Sequence, residues 1–222
     1  MRDYITEKVK NNTRYFKFGN IDVEEIEPCP DSVNLPAVFK TIEDHLPSHY
    51  FQGLKGVKIG TFAEFETRDA NAFYDDGVFY ISNKQNNSED ILDDMVHEFA
   101  HHLETLYPHE IYEDDRVVHE FLKKRQELEF ELRSEGYWTS DYNFDNLDYD
   151  ERLDKFLYKR VGPQMLRMVT VGSFIRPYAS VSLREYFATG FEAYYLGKKE
   201  ELEKSSPMLY DKINELHHQQ NY

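Results

Sequence analysis

The sequence predicts an α+β protein, mainly helical, with a small mixed β-sheet beside one long amphipathic helix. Three observations lead there. From Ser88 to Leu106 the chain reads SEDILDDMVHEFAHHLETL, in which Leu92, Met95, Val96, Phe99, Ala100, Leu103 and Leu106 recur at three- and four-residue steps, the apolar stripe of a helix. Ahead of it, Val57 to Phe65 and Ala72 to Ser82 carry the β-branched and aromatic residues of strands, and Asp75-Asp76-Gly77 marks a hairpin within the second stretch. Behind it, charged amphipathic stretches run to the end of the chain.

Each element has its own justification. Tyr15 to Phe18 and Ile21 to Val23, joined across Gly19-Asn20, read as a hairpin. Asn34 to Leu46 reads as a helix with Pro36 in its first turn and Val38, Ile42 and Leu46 on one face. His45 and His49 imitate a metal-binding pair, but Pro47 between them breaks the helix such a pair needs, so both are expected at the solvent. Val78 to Ser82 leads through the polar loop Asn83 to Asn87 into the long helix, a placement that fits either a cleft-edge strand to which a peptide could add or a plain core hairpin.

Ser88 is the expected N-cap of that helix, with Glu89 and Asp90 favoured in its first turn by the helix dipole. A charged helix follows over about Asp114 to Arg133, where Val117, Phe121, Leu128 and Leu132 are apolar. His119-Glu120 within it lacks a second His, since Lys123 stands in its place. Gly136 to Asp150 is an aromatic, acidic loop, either a lid or a segment clamped to the body. Helices are expected from about Asp150 to Val161, from Pro163 to about Phe174, and from Ser182, as cap, to Leu196, where Gly197 ends it. The expected organisation is a single domain: a lobe over 1–87, the helix over 88–106, a helical insert over 107–176 and a C-terminal helical lobe over 177–222.

Composition narrows the partners. A formal charge of −16 argues against nucleic acid and anionic membranes, whose phosphates it would repel, and favours basic or neutral partners. With 17 Tyr, 16 Phe and 1 Trp, many phenol hydroxyls need a polar partner or solvent, so a tyrosine-rich cleft or surface is expected. Cys29, the one cysteine, rules out an intrachain disulfide. The opening residues lack the apolar core of a signal peptide and no run is long enough to span a bilayer. A cytoplasmic protein, or one carried within a larger assembly, is the expectation.

The chemistry concentrates in His97, Glu98 and His101, which spell HExxH. His97 and His101 are four apart, so both imidazoles leave one helix face and can grip one ion. Glu98 lies about 100° around the helix, poorly placed as a ligand but near enough to reach a water at that ion. In a chain with nine His and 42 acidic residues the three letters can arise by chance; the capped amphipathic helix around them, with Asp93, Asp94 and Glu104, is what favours metal. Farther on, Glu185, Ala188, Thr189 and Glu192 share a helix face, small residues between two carboxylates that let another helix come close.

HEFAHHLE, taken with Tyr178, Glu185, EYFATGFEAYYL and SPMLYDKI, resembles the gluzincin metallopeptidases of the anthrax lethal factor type, to which Mlc titration factor A is also similar. There HEF(A/G)HxxD is followed by a helix ExFAxxF and a Pro-x-x-Tyr/Phe-x-x-Ile/Leu segment. His97, Glu98, Phe99, Ala100 and His101 match the first, Glu185, Phe187, Ala188 and Phe191 the second, and Pro207, Tyr210 and Ile213 the third. The resemblance implies a zincin-like fold, with His97, His101 and Glu185 as ligands of Zn2+, Glu98 as general base and Tyr178 as oxyanion donor. It implies a protein or peptide substrate, and it extends to stand-alone versions carried by bacteriophages. Two departures stand out: Glu104 replaces the family's Asp, and the segment between His101 and Glu185 is longer, as a specificity lobe would be. The rival expectation is an assembly, virion-associated or regulatory interaction protein whose site is structural, vestigial or used only to mature a partner.

Overall fold

The computed structural model describes residues 13–68 and 70–219. By compactness the chain divides after Leu106 into two units. The protein is α+β, mainly helical, with a small mixed sheet. Among the described residues, no helix is long and apolar enough to cross a membrane.

The first unit holds the sheet. Its strands are β1 (Arg14–Phe18), β2 (Ile21–Glu25), β3 (Gly56–Gly60), β4 (Ala72–Asp75) and β5 (Val78–Ser82), in the order β1-β2-β3-β5-β4. β1 pairs antiparallel with β2, β2 and β5 flank β3 in parallel, and β4 closes antiparallel on β5. The β4–β5 turn puts Asp76 and Gly77 at φ 43° and 83°, the left-handed pair that an Asp-Gly turn supplies at low cost.

Two strand expectations are corrected. The strand-like stretch Val57 to Phe65 ends at Gly60, and Ala63–Arg68 forms a short helix, α2. β5, the strand leading into the HExxH helix, is not an edge: β3 and β4 take up both of its sides, so no peptide can add to it.

α1 (Leu35–His45) begins as expected, Asn34 Oδ1 accepting from Ala37 N at 3.2 Å, and buries Leu35, Val38, Phe39 and Ile42. After Pro47 a 3₁₀ turn (Ser48–Phe51) follows. Against expectation, only His45 is exposed; His49 is buried, its ring edge-on to Tyr50 at 4.6 Å, because the 3₁₀ turn folds it inward.

α3 (Ser88–Leu106) is the spine of this unit. Ile91, Met95, Val96, Phe99, Ala100 and Leu103 are buried, and Phe99 meets the rings of Phe79 (4.9 Å), Phe51 (5.1 Å) and Phe18 (6.4 Å). Leu92 and Leu106, at the stripe's rim, stay half-exposed. The cap is Asn87 rather than Ser88: its Oδ1 accepts from Glu89 N (2.8 Å) and Asp90 N (3.0 Å), while Ser88 Oγ accepts from Asn34 N (2.8 Å). Adjacent Asn and Ser are comparable caps, and the tertiary bond to Asn34 decides between them.

Cys29 sits where the chain leaves β2. Its N–H donates to Glu25 Oε1 at 3.0 Å, and Arg14 pairs with the same buried carboxylate. Burial, then the Glu25 charge, pushes the thiol up to about 11, with Arg14 pulling the other way. A thiol there holds about a hundredfold less thiolate at pH 8 than an ordinary cysteine. Iodoacetamide should therefore label native Cys29 about a hundredfold more slowly than the unfolded chain at pH 8, a contrast that intact-mass kinetics would read and that should narrow as pH rises towards 11.

The second unit is helical: α4 (Pro108–Tyr112), α5 (Arg116–Ser134), α6 (Glu151–Lys155), α7 (Pro163–Thr170), α8 (Leu183–Tyr195), α9 (Lys199–Ser205) and α10 (Pro207–His218). α6 runs into a π-helical segment, Phe156–Val161, where one continuous α-helix was expected, and α7 stops at Thr170 before Gly172 at φ 80°. α8 is the core, with Tyr186, Phe187, Ala188 and Phe191 buried. At Gly190 the helices come so close that a Cβ would lie 2.3 Å from Leu209 Cδ2. Ser182 caps α8 as read, accepting from Glu185 N at 3.2 Å, and Gly197 follows its end at φ 88°.

The His119-Glu120 pair also acquires a role in this unit. Glu120 accepts from Met208 N (3.0 Å), Leu209 N (3.1 Å) and the Tyr186 hydroxyl (2.7 Å), so a side chain of α5 caps α10. The aromatic loop over 136–150 is clamped to its unit: Phe144 is buried and Tyr142 stacks on Phe156 at 4.2 Å, while Trp138 and Tyr149 stay exposed.

Candidate metal centre

On α3, His97 and His101 project from one face as their spacing requires, with Nε2 atoms 3.2 Å apart and rings edge to face. His101 is buried, and its Nδ1 lies 3.0 Å from Glu104 Oε2. A carboxylate there accepts a hydrogen bond from Nδ1–H, which fixes the tautomer that leaves the Nε2 lone pair for an ion. Glu104 thus fixes the ring orientation and tautomer of His101. Its replacement by Ala should weaken zinc binding about 10- to 100-fold in competition with a chromophoric chelator, and unchanged affinity would remove Glu104 from the site.

The adjacent His102 belongs to the core instead. It is fully buried, Nε2 donates to the Gln52 carbonyl at 2.8 Å, and Nδ1 faces Tyr74 Oη at 3.3 Å. Burial holds its pKa below the usual histidine value, which keeps it neutral. One residue along a helix turns a side chain about 100°, enough to send neighbouring histidines to different places.

Glu98 is buried. One turn earlier Asp94, half-buried, accepts from Gln85 Nε2 at 2.7 Å. Burial raises Asp94 to about 6, with the charge of Glu98 adding to the effect and the Gln85 bond and His97 opposing it. Asp94 and Glu98 therefore share one electrostatic environment.

In the second unit Glu185 lies in the first turn of α8, set by the Ser182 cap. Glu192, the other carboxylate of that face, is paired with Arg176. Tyr178 sits on a 3₁₀ turn (Pro177–Ser180) and is 41% exposed. Burial of the hydroxyl, followed by the charges of Glu185 and Asp154, raises its pKa, so the phenol keeps its proton at neutral pH and remains a donor.

Two further tyrosines, with no motif to announce them, stand nearby. Tyr149 donates to Asp154 Oδ2 at 3.0 Å, and the Tyr158 ring is 6.4 Å from that of Tyr178. Burial and then neighbouring carboxylates push each up to about 12. Tyr158 rides on the π-helical segment, a geometry often found at functional sites. The tyrosine-rich surface expected from composition is here.

His97, His101 and Glu185 each offer one ligand atom, and these atoms lie within 4.8 Å of one another, a group that could hold a metal ion. Tetrahedral donors about 2.0 to 2.2 Å from an ion stand about 3.4 Å apart. The histidine pair is already at that spacing, and two imidazoles with one carboxylate leave a fourth position open. Comparisons with family models, with curated proteins and with solved structures find no match for this chain.

Proposed function

We propose that this protein is a zinc-dependent endopeptidase with a zincin-like fold, of the gluzincin type that its motifs resemble. The observation that carries the reading is the convergence of His97, His101 and Glu185 into one potential ligand set, with Glu98 next to the first histidine in sequence. Two imidazoles and a carboxylate form a donor set that zinc accepts in hydrolytic sites.

Zinc, when bound, supplies a Lewis acid that polarises a substrate carbonyl and makes water a usable nucleophile at neutral pH. The remaining steps fall to the chain's own groups. Glu98 takes a proton from the attacking water and returns it to the leaving amine. Tyr178, held protonated, donates to the oxygen on which negative charge develops. Glu104 keeps His101 oriented. The charge of −16 favours protein or peptide substrates with basic segments.

The test is metal-dependent cleavage. Purified protein should bind one equivalent of zinc and cut members of a quenched-fluorescent peptide library. Chelation with 1,10-phenanthroline should abolish cleavage and added zinc should restore it. Stoichiometric zinc without cleavage of any peptide would replace this reading with a structural metal site in an assembly or interaction protein.

A further inference from the structure

We propose that Arg125 is a positioning residue for Tyr178, acting from inside the second unit; its catalytic consequence rests on the peptidase reading above. Arg125 lies on α5 and is wholly buried. Its Nη1 donates to the carbonyls of Ser180 (2.7 Å) and Val181 (3.3 Å), and its Nη2 to that of Asn143 (3.3 Å). The guanidinium lies 5.3 Å from the ring centre of Phe121 and 5.5 Å from that of Phe144.

The three carbonyls place this cation. Ser180 ends the 3₁₀ turn that carries Tyr178, and Val181 links it to Ser182, the cap that sets Glu185. The turn's own bonds run backwards, Ser180 Oγ to the Pro177 carbonyl (2.7 Å) and Val181 N to that of Tyr178 (3.1 Å), which leaves its exit carbonyls for Arg125. Asn143 belongs to the aromatic loop, and the same loop meets the start of α8 where Leu183 N donates to the Leu147 carbonyl at 2.8 Å. One fork of donors therefore fixes the exit of the Tyr178 turn and the loop beside it.

A buried guanidinium is a costly way to fill space. Packed apolar side chains of similar volume commonly serve stability as well or better. What the planar fork adds is direction, several donors in fixed geometry aimed at acceptors from separate segments. Burial lowers its pKa to about 10, which still leaves it charged at neutral pH. Lys124, the preceding residue, shows the contrast: it is also buried, but its Nζ reaches Ser205 O and Ser206 Oγ at 2.6 Å and ties α5 to the α9–α10 junction.

The test uses full-length, zinc-loaded protein with 3-fluorotyrosine at position 178, in wild type, Arg125→Lys and Arg125→Met. The ¹⁹F resonance of residue 178 should be single and narrow in wild type, shifted or split in Arg125→Met, and shifted by a smaller but measurable amount in Arg125→Lys, with zinc stoichiometry at one throughout. On the quenched peptide library, Arg125→Met should lower kcat about 10- to 100-fold with little change in KM. In a Tyr178→Phe background the same change should cost almost nothing further. An unaltered resonance in folded Arg125→Met, or kcat losses that multiply across the two sites, would overturn the proposal. If Arg125→Met does not fold, Arg125→Lys decides on the same readouts, because one ammonium cannot hold all three carbonyls in fork geometry and must perturb the resonance. Were wild type to cleave no peptide, the peptidase reading would fall while the fluorine signal still decided whether Arg125 positions Tyr178.

Discussion

Glu98→Gln should leave one zinc bound per chain and lower kcat for peptide hydrolysis by about 10²- to 10⁴-fold, the usual contribution of a positioned general base. The substitution keeps the size and shape of the side chain and removes only its ability to accept a proton and pass it on. Because Glu98 stands beside His97 in sequence but about a third of a turn around the helix, it is not needed to hold the ion. The measurement pairs elemental analysis with kinetics on the same preparation. Full zinc with wild-type kcat would remove Glu98 from the chemistry, whereas loss of zinc would make it a structural member of the site.

The second large effect is on stability. Glu120→Ala should destabilise the second unit by about 2 to 4 kcal/mol, summing a lost helix cap of about 1 kcal/mol and a buried hydroxyl left without its acceptor, about 1 to 3 kcal/mol. The carboxylate accepts from two N–H groups at the start of α10 and from the Tyr186 hydroxyl, so all three lose their partner together. Burial, and then the nearby Glu120 charge, holds the Tyr186 pKa well above the ordinary phenol value, which keeps that hydroxyl a donor. Urea unfolding would read the difference, and Glu120→Gln, retaining a carbonyl oxygen, should fall between the two. A change under about 0.5 kcal/mol would place Glu120 among ordinary surface residues.

How far sequence reached into this molecule follows from how local each feature is. The α3 helix, the Asp75-Asp76-Gly77 turn, the Ser182 cap and the His97/His101 face all depend on residues within a turn or two of each other and stand where periodicity and turn chemistry put them, although Ile91 rather than Leu92 takes the buried place at the start of the stripe. Features requiring distant partners were not legible. The interior position of β5 depends on which strands flank it, and period-two alternation reads the same in an edge and a central strand. His49 is buried by a 3₁₀ turn that Pro47 allows but does not dictate. Glu120 looked like half a metal motif because its acceptor role depends on Met208, Leu209 and Tyr186, far along the chain.

At the candidate site, His97, Glu98 and His101 could be read from one helix. Glu185 needed an argument from resemblance, because no local pattern ties it to the two histidines. Tyr149 and Tyr158 carry no pattern at all. They are two phenols among seventeen, distinguished only by folding next to Asp154 and Tyr178.

The placement of β5 bears on inhibitor design. Both faces of its hydrogen-bonding ladder are spoken for, and the open edge on that side of the sheet belongs to β4, four residues long. Extended peptidomimetics that draw affinity from lying alongside the strand before the helix would find no free amide or carbonyl there. On the proposed peptidase reading, compounds would combine a metal-chelating head with side chains chosen for complementary charge, and leave backbone mimicry aside.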